Sequence, residues 1–345
     1  SSLALSLLRH SSPSNQSFVM SPFSLNTALA IVHDGSSGQT EKELSKLLLS
    51  GCIPYDVTEF YSSLARRIPP TKCNGVEMKS AIRIYVKESI SLKKAYQKHV
   101  ESKYAVRVQN INLRNKDDAA SEMNDFIEGA TIGKIKDMIK ADKIKDEVLL
   151  YIINAIHFIG KWKHPFKHFK TYFRHFAGHA GDRLMYFMHQ NGHFRINTNN
   201  DIGTVLLMPY QEENFNFFYI MPKESSNLGR LRMELTGDKL DQLLQTSTMA
   251  YADITVPKFK VESELDGLKL LNKMEVTNLN QVIKMSNASL AVGAITHRAT
   301  IETHEKGTEA TAATVVEMMM MSMPSYQPPT VVIDRPFLFG ILRND

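Results

Sequence analysis

Seven histidines fall between residues 157 and 193: His157, His164, His168, His175, His179, His189 and His193. Imidazoles ligate metals and move protons near neutral pH. Three pairs stand four residues apart, a spacing that on a helix would put both rings on one face. Pro165 and the surrounding aromatics argue against one continuous helix. In a strand, four residues span roughly 13 Å, too far to share an ion. No helical H-E-x-x-H is present. The histidines read as solvated surface groups, and no metal is expected. Two other chemistries fail on spacing. G-A-T-I-G-K at 129–134 has three residues between its glycines where a phosphate loop has four, and Ile135 stands where Ser or Thr would meet magnesium. No G-x-S-x-G elbow occurs, so a hydrolase is unsupported; neither enzyme activity nor a cofactor is expected.

Helix signals lie early in the chain. Ser21 followed by Pro22 offers a capping hydroxyl and then proline at the first helical position, and Gly35 suits the stop. Thr40 with Glu43 reads as a capping box for E-K-E-L-S-K-L-L-L. A third helix is predicted over D-A-A-S-E-M-N-D-F-I-E, ending before Gly129. Strand signals dominate later. V-L-L-Y-I-I-N-A-I-H-F-I is apolar on both faces, as in a central strand covered on both sides. G-T-V-L-L-M-P-Y, F-N-F-F-Y-I-M-P and the final T-V-V-I-D-R-P-F-L-F-G-I-L also read as strands. There is no repeat and no Gly/Ser linker, so residues 1–345 are read as a single α+β domain.

Composition sets further bounds. The 345 residues are 43% hydrophobic, enough for a large core, and no apolar run is long enough to span a bilayer. Lys and Arg number 41 against 36 acids, and this excess reads as spread along the chain, which does not suggest a nucleic-acid protein. K-I-K-D-M-I-K-A-D-K-I-K carries interspersed acids and reads as a solvated face. K-W-K-H-P-F-K-H-F-K could face a polyanion, leaving a glycosaminoglycan open as a partner. Cys52 and Cys73 are compatible with one disulfide or two free thiols. Asn15 and Asn287 begin N-glycosylation sequons, which matter only if the protein is exported.

One stretch fits neither a core nor an ordinary loop: E-K-G-T-E-A-T-A-A-T-V-V-E-M-M-M-M-S-M at 305–323. As a strand over 308–317, one face carries Thr308, Ala310, Ala312, Thr314 and Val316, small enough to slide into a packed interior. The other carries Glu309, Thr311, Ala313, Val315 and Glu317. No proline precedes Pro324, so every amide from 305 to 323 is free to join a ladder. Alanine and glutamate are poor strand formers, and Gly307 marks a joint. The stretch is read as an exposed segment held in reserve as a future strand.

Here the sequence resembles the serpins over nearly its whole length. H-E-K-G-T-E-A-T-A-A-T is similar to the family's reactive-loop hinge, and V-V-I-D-R-P-F-L-F-G-I at 331–341 to its C-terminal signature. N-D-F-I-E-G-A-T-I-G-K-I at 124–135 matches a third block, with Phe126 replacing the usual tryptophan. F-I-G-K-W-K-H-P-F at 158–166, M-S-P-F-S-L at 20–25 and P-K-F-K-V-E-S at 257–263 match others, all in the family's order. The resemblance implies three β-sheets, eight to nine helices and an exposed reactive-centre loop, 305–329, near the C-terminus. It implies a monomeric suicide-substrate inhibitor of proteases, whose cut loop inserts into the main sheet and carries the trapped enzyme with it.

The same resemblance assigns residues. Glu305, Lys306, Gly307, Thr308, Glu309, Ala310, Thr311, Ala312, Ala313 and Thr314 form the hinge. Counting the family's seventeen hinge-side residues from Glu305 puts the scissile bond between Met321 and Ser322, with Met318, Met319, Met320 and Met323 as chemically equivalent neighbours. An unbranched apolar side chain there suits chymotrypsin-like or elastase-like pockets and offers no cation to a trypsin-like aspartate. Ser21, Ser24, Asn154 and His297 resemble the polar cluster beneath the strands that must part. Trp162 and Lys258 resemble residues at the insertion point, with Lys258 the expected partner of Glu305. The alternative is a non-inhibitory member acting as chaperone, carrier or storage protein, although such members usually spoil the hinge with charged, bulky or proline residues. The family's habits and the sequons favour a secreted glycoprotein; no nucleic acid or membrane partner is implied.

Overall fold

The computed structural model describes residues 2–11, 16–49, 56–67, 75–145, 147–224, 228–288, 290–308 and 328–344. In chain order these form α1 (Ser2–Ser11), α2 (Pro22–Gly35), α3 (Gly38–Leu48), α4 (Val57–Arg67), β1 (Val76–Lys87), α5 (Lys94–Tyr104), β2 (Arg107–Ile111), α6 (Lys116–Ala130) and β3 (Leu150–Lys161). Then come β4 (Thr171–Gly178), β5 (Gly181–Asn197), β6 (Gly203–Pro209), β7 (Phe215–Pro222), α7 (Leu228–Glu234), α8 (Gly237–Gln245), β8 (Thr248–Pro257), β9 (Phe259–Asp266) and α9 (Gly267–Lys273). β10 (Ala294–His304), β11 (Gly307–Thr308), β12 (Thr330–Val332) and β13 (Leu338–Arg343) complete the order.

The strands make two ladders. One has the order β2-β1-β3-β11-β10-β9. The other runs β12-β8-β5-β6-β7-β13, with β4 added to the side of β5. The resemblance counts three sheets. Here the second and third share the long strand β5, which pairs with β4 and β8 along most of its length and with β6 at Arg195–Asn197.

β3 shows why the first ladder is a centre and not a surface. Leu150 and Ile152 point to a core built around α2, with Leu29, Ile31 and Ile84. Tyr151, Ile153 and Ala155 point the other way, under α6, with Tyr85, Met123 and Ile127. Each fully buried Ile is worth about 1.5–3 kcal/mol relative to exposure, so the both-faces apolar run is best satisfied between two layers. Phe126, in place of tryptophan, lies on α6 with the Arg83 guanidinium 3.6 Å above its ring.

The predicted helix after Ser21 forms as read, spanning Pro22–Gly35, and the Ser21 hydroxyl accepts from the Ser24 amide. The predicted third helix runs through Gly129 to Ala130. The Thr40–Glu43 capping box does not form. The helix starts earlier, at Gly38, leaving both residues inside it. Thr40 Oγ1 accepts from the Gln281 amide, and the Glu43 carboxylate accepts from the Thr277 and Asn278 amides. These bonds, led by the Asn278 amide, hold the Glu43 carboxyl down to about 2. The predicted final strand splits into β12 and β13, which lie at opposite ends of the ladder, because Asp334–Phe337 turns the chain around Pro336.

Candidate functional site

The first ladder contains a fork. β3 and β10 pair directly and in parallel from Tyr151↔Ala294 to His157↔Thr300. Above that rung they separate, and β11 lies between them. Thr308 faces Gly160 on one side and Thr303 on the other, antiparallel to both strands. The first residues of the 305–323 segment have therefore begun a new strand in the middle of the sheet.

Close approach makes that entry possible. Gly307 has φ +154°, and a Cβ there would lie 1.9 Å from the Gly160 carbonyl oxygen. The sequence suggested a joint; the structure shows a position where backbone meets backbone and no side chain fits. Gly160 is crowded too, with a built Cβ 2.5 Å from the Tyr210 ring. Tyr210 OH and Thr308 Oγ1 share a buried hydrogen bond of 2.7 Å, and burial pushes the Tyr210 phenol well above its usual range. Trp162 stacks on Tyr210 at 4.7 Å, donates its ring N–H to the His304 carbonyl at 2.9 Å, and donates its amide to the Lys306 carbonyl at 3.0 Å. The Phe166 amide holds the Glu305 carbonyl at 2.7 Å.

Glu305 is the charged member of this upper site, and only 3% of its side chain is exposed. Lys258 Nζ lies 3.0 and 3.2 Å from its two oxygens, and Thr171 Oγ1 donates at 3.0 Å. His168 Nδ1 stands 3.5 Å away. Burial opposes ionisation, but the backbone, Lys258 and Thr171 hydrogen bonds outweigh it and hold the carboxyl below its ordinary value.

The lower site lies where β3 and β10 are still paired. The Asn154 amide donates to the Ser24 carbonyl at 2.5 Å, which identifies Oδ1 as its acceptor. Oδ1 receives the Ser24 hydroxyl at 2.8 Å and His297 Nδ1 at 2.8 Å. Nδ1 therefore carries the proton, and Nε2 is left to accept the Ser21 amide at 3.1 Å. Asn154, Ser24 and His297 have no solvent exposure. Burial lowers His297 to about 4, so the ring is neutral at pH 7.

Ser21, Ser24, Asn154 and His297 thus form one connected network, and Trp162, Lys258 and Glu305–Thr308 meet at the other end of the same seam. Glu309–Thr314, Met321, Ser322, Asn15, Cys52 and Cys73 lie outside the described residues; Asn287 is exposed. Tyr210, Thr171, Phe166 and Gly160 join the upper site without a local signal that could have singled them out. His157 is a correction. It is 3% exposed at the last rung before the fork, and burial lowers it to about 4. The β-branched run around it was the overlooked signal. The other six histidines lie on β4, β5 or adjoining segments, exposed or half-buried. Among the described residues no group of three or more His, Cys, Asp or Glu is placed to hold a metal, and no helix is long and apolar enough to cross a membrane.

The sheet thus pairs two parallel strands directly at one end and holds a third between them at the other. The family model Serpin, described as serine protease inhibitor, matches residues 1–345, and the chain belongs to the serpin family. It is 29% identical to Iris of Ixodes ricinus over 94% of this chain and 88% of that protein. It is 28% identical to antichymotrypsin-2 of Bombyx mori over 96% of this chain and 89% of that one. Human thyroxine-binding globulin, at 22% identity, superposes with a TM-score of 0.89 over 100% of this chain and 93% of that chain, a likeness of fold alone.

Proposed function

We propose that this serpin is an inhibitory one: a suicide substrate for secreted serine proteases of the chymotrypsin-like or elastase-like type, itself exported and monomeric. The observation that carries the reading is the fork, with Gly307 and Thr308 already hydrogen-bonded to both flanking strands. Continuing that entry would replace seven parallel rungs between β3 and β10 with an antiparallel strand paired on both sides. Antiparallel pairing is somewhat the more stable per residue, and each inserted residue adds ladder bonds that the closed seam lacks. Such loop insertion is an established strand addition of serpins.

In the proposed reaction the protease serine attacks the Met321 carbonyl carbon. The Met321–Ser322 bond breaks, the Ser322 amine leaves with a proton, and Met321 remains as an ester on the enzyme. The freed hinge side then inserts, and the enzyme is carried away from the geometry that deacylation needs. The small residues Thr308, Ala310 and Ala312, which strand spacing would put on one face, support this, as does the similarity to a protein named antichymotrypsin. No cofactor takes part.

The test is incubation with chymotrypsin, pancreatic elastase and trypsin, read on SDS gels with mass spectrometry of the released peptide. An SDS-resistant complex with chymotrypsin or elastase, and a peptide beginning at Ser322, is expected. Clean cleavage with no complex would overturn inhibition in favour of a non-inhibitory carrier, chaperone or storage role.

A further inference from the structure

β4 connects the two stems of the reactive loop. At its start, Thr171 donates to Glu305, just before the loop departs. Near its end, the Ala177 amide donates to the Asp334 carbonyl at 2.8 Å, and Arg174 lies 3.6 Å from the Asp334 carboxylate, just after the loop returns. Six residues of strand separate those contacts, about 20 Å. A protease domain of roughly 230 residues is on the order of 40 Å across. One that holds a residue of this loop in its active site must therefore cover much of the ground between the stems.

That ground is unlike the rest of the surface. Eleven large hydrophobic side chains are exposed among the described residues, and five of them fall within 169–186: Phe169, Tyr172, Phe173, Leu184 and Tyr186. Cross-strand register puts Phe173 opposite Tyr186 and His175 opposite Leu184, all on one face of the β4–β5 hairpin. Phe173 and Tyr186 stack at 4.0 Å while remaining 59% and 49% exposed, and Leu184 is 61% exposed. Thr171 shares this face, and its partner Met188 is fully buried, so the face passes from covered to open along β4. An open depression of about 850 Å³ runs from Phe173 and Leu184 to Asp334 and Arg335.

The same segment is also basic. Residues 161–183 hold six Lys or Arg and one Asp, a net +5 that equals the net charge of the whole chain. An apolar, stacked centre within a basic rim has the anatomy of a protein-docking patch.

We propose that the open face of the β4–β5 hairpin is a second contact surface for the attacking protease, favouring enzymes with an apolar patch and acidic groups beside the active-site cleft. The inference rests on the loop being a protease substrate, as read above. Two exposed-site variants test it: Phe173→Ser with Tyr186→Ser, and Lys167→Glu with His175→Glu. Melting temperatures check that both remain folded. The rate of loop cleavage, read by mass spectrometry of the released peptide, is measured for chymotrypsin- and elastase-like proteases of differing rim charge. For proteases with acidic rims, both variants should react at least ten-fold more slowly, and added salt should shrink the deficit of the charge variant only. Rates within two-fold of the parent across the panel would overturn the proposal. Loss of retention on immobilised heparin with unchanged protease rates would overturn it too, making the patch a polyanion surface. Cleavage rates are read whether or not a complex is trapped, so failure to trap counts against inhibition and not against docking.

Discussion

The two ends of the β3–β10 seam hold their strands by different means. At the upper end a buried carboxylate, Glu305, is paired with Lys258 and hydrogen-bonded by Thr171, Gly307 lets backbone touch backbone, and a third strand lies between the two. At the lower end the network of Ser21, Ser24, Asn154 and His297 contains no charge at neutral pH, and the two strands still pair with each other. A charged site tolerates an opening because its ions remain satisfied at the edge of solvent; Lys258 is 37% exposed. A neutral, fully buried network holds only while each donor meets its acceptor, since an orphaned buried group costs about 1–3 kcal/mol. In the proposed insertion, the seam would open at the charged end and meet resistance at the neutral one.

The largest effect should come from breaking the lower network at its hub. Asn154→Ala would orphan the Ser24 hydroxyl, the Ser24 carbonyl and His297 Nδ1 together, and about 4 kcal/mol should be lost from the first unfolding transition in urea. A loss below about 1 kcal/mol would mean that the neighbours re-pair and the network is no lock.

Next is pH. His297 and His157 are depressed to about 4 from 6.5, so between those values the unfolded chain binds protons that the native chain refuses. Stability is therefore full above pH 6.5 and falls as pH drops towards 4, by up to about 3 kcal/mol for each ring. Urea titrations at pH 7 and pH 4.5 should show the fall, and His297→Gln should flatten it. A profile equally steep in that variant would assign the effect to other groups.

At the upper end, Lys258→Met leaves Glu305 with its backbone hydrogen bond, Thr171 and His168, and should cost about 2 kcal/mol. Gly307→Ala should cost less, about 1 kcal/mol, because a two-residue strand is simply expelled; its sign is read by faster hydrogen exchange at the Thr308 amide. Unchanged exchange would mean that β3 can move aside for a side chain. At the far end of the loop the smallest effect on stability is expected. Peroxide should oxidise Met321 to a polar sulfoxide and lower protease inactivation without moving the melting temperature. Full activity with Met321 oxidised would place the scissile bond elsewhere.

How far these sites were legible depended on the distance of their partners. The Ser21–Pro22 start and the two-faced apolar run of β3 follow from neighbours in sequence, and both formed as read. Thr40 and Glu43 carry the local pattern of a cap, but their partners lie some 235 to 241 residues away, and tertiary hydrogen bonds won. The same distance hid Tyr210 from Thr308, 98 residues apart. The polar cluster around Asn154 is invisible in any local pattern. Only family resemblance pointed to Ser21, Ser24 and His297 as its companions.

Trp162 is the sole tryptophan of the chain. Its indole lies against Tyr210, which in turn touches Thr308, and its ring nitrogen is tied to His304. Every photon of tryptophan emission from this protein therefore originates beside the entering strand. The molecule carries its own optical reporter, so hinge movement could be timed in a stopped-flow instrument on unlabelled protein.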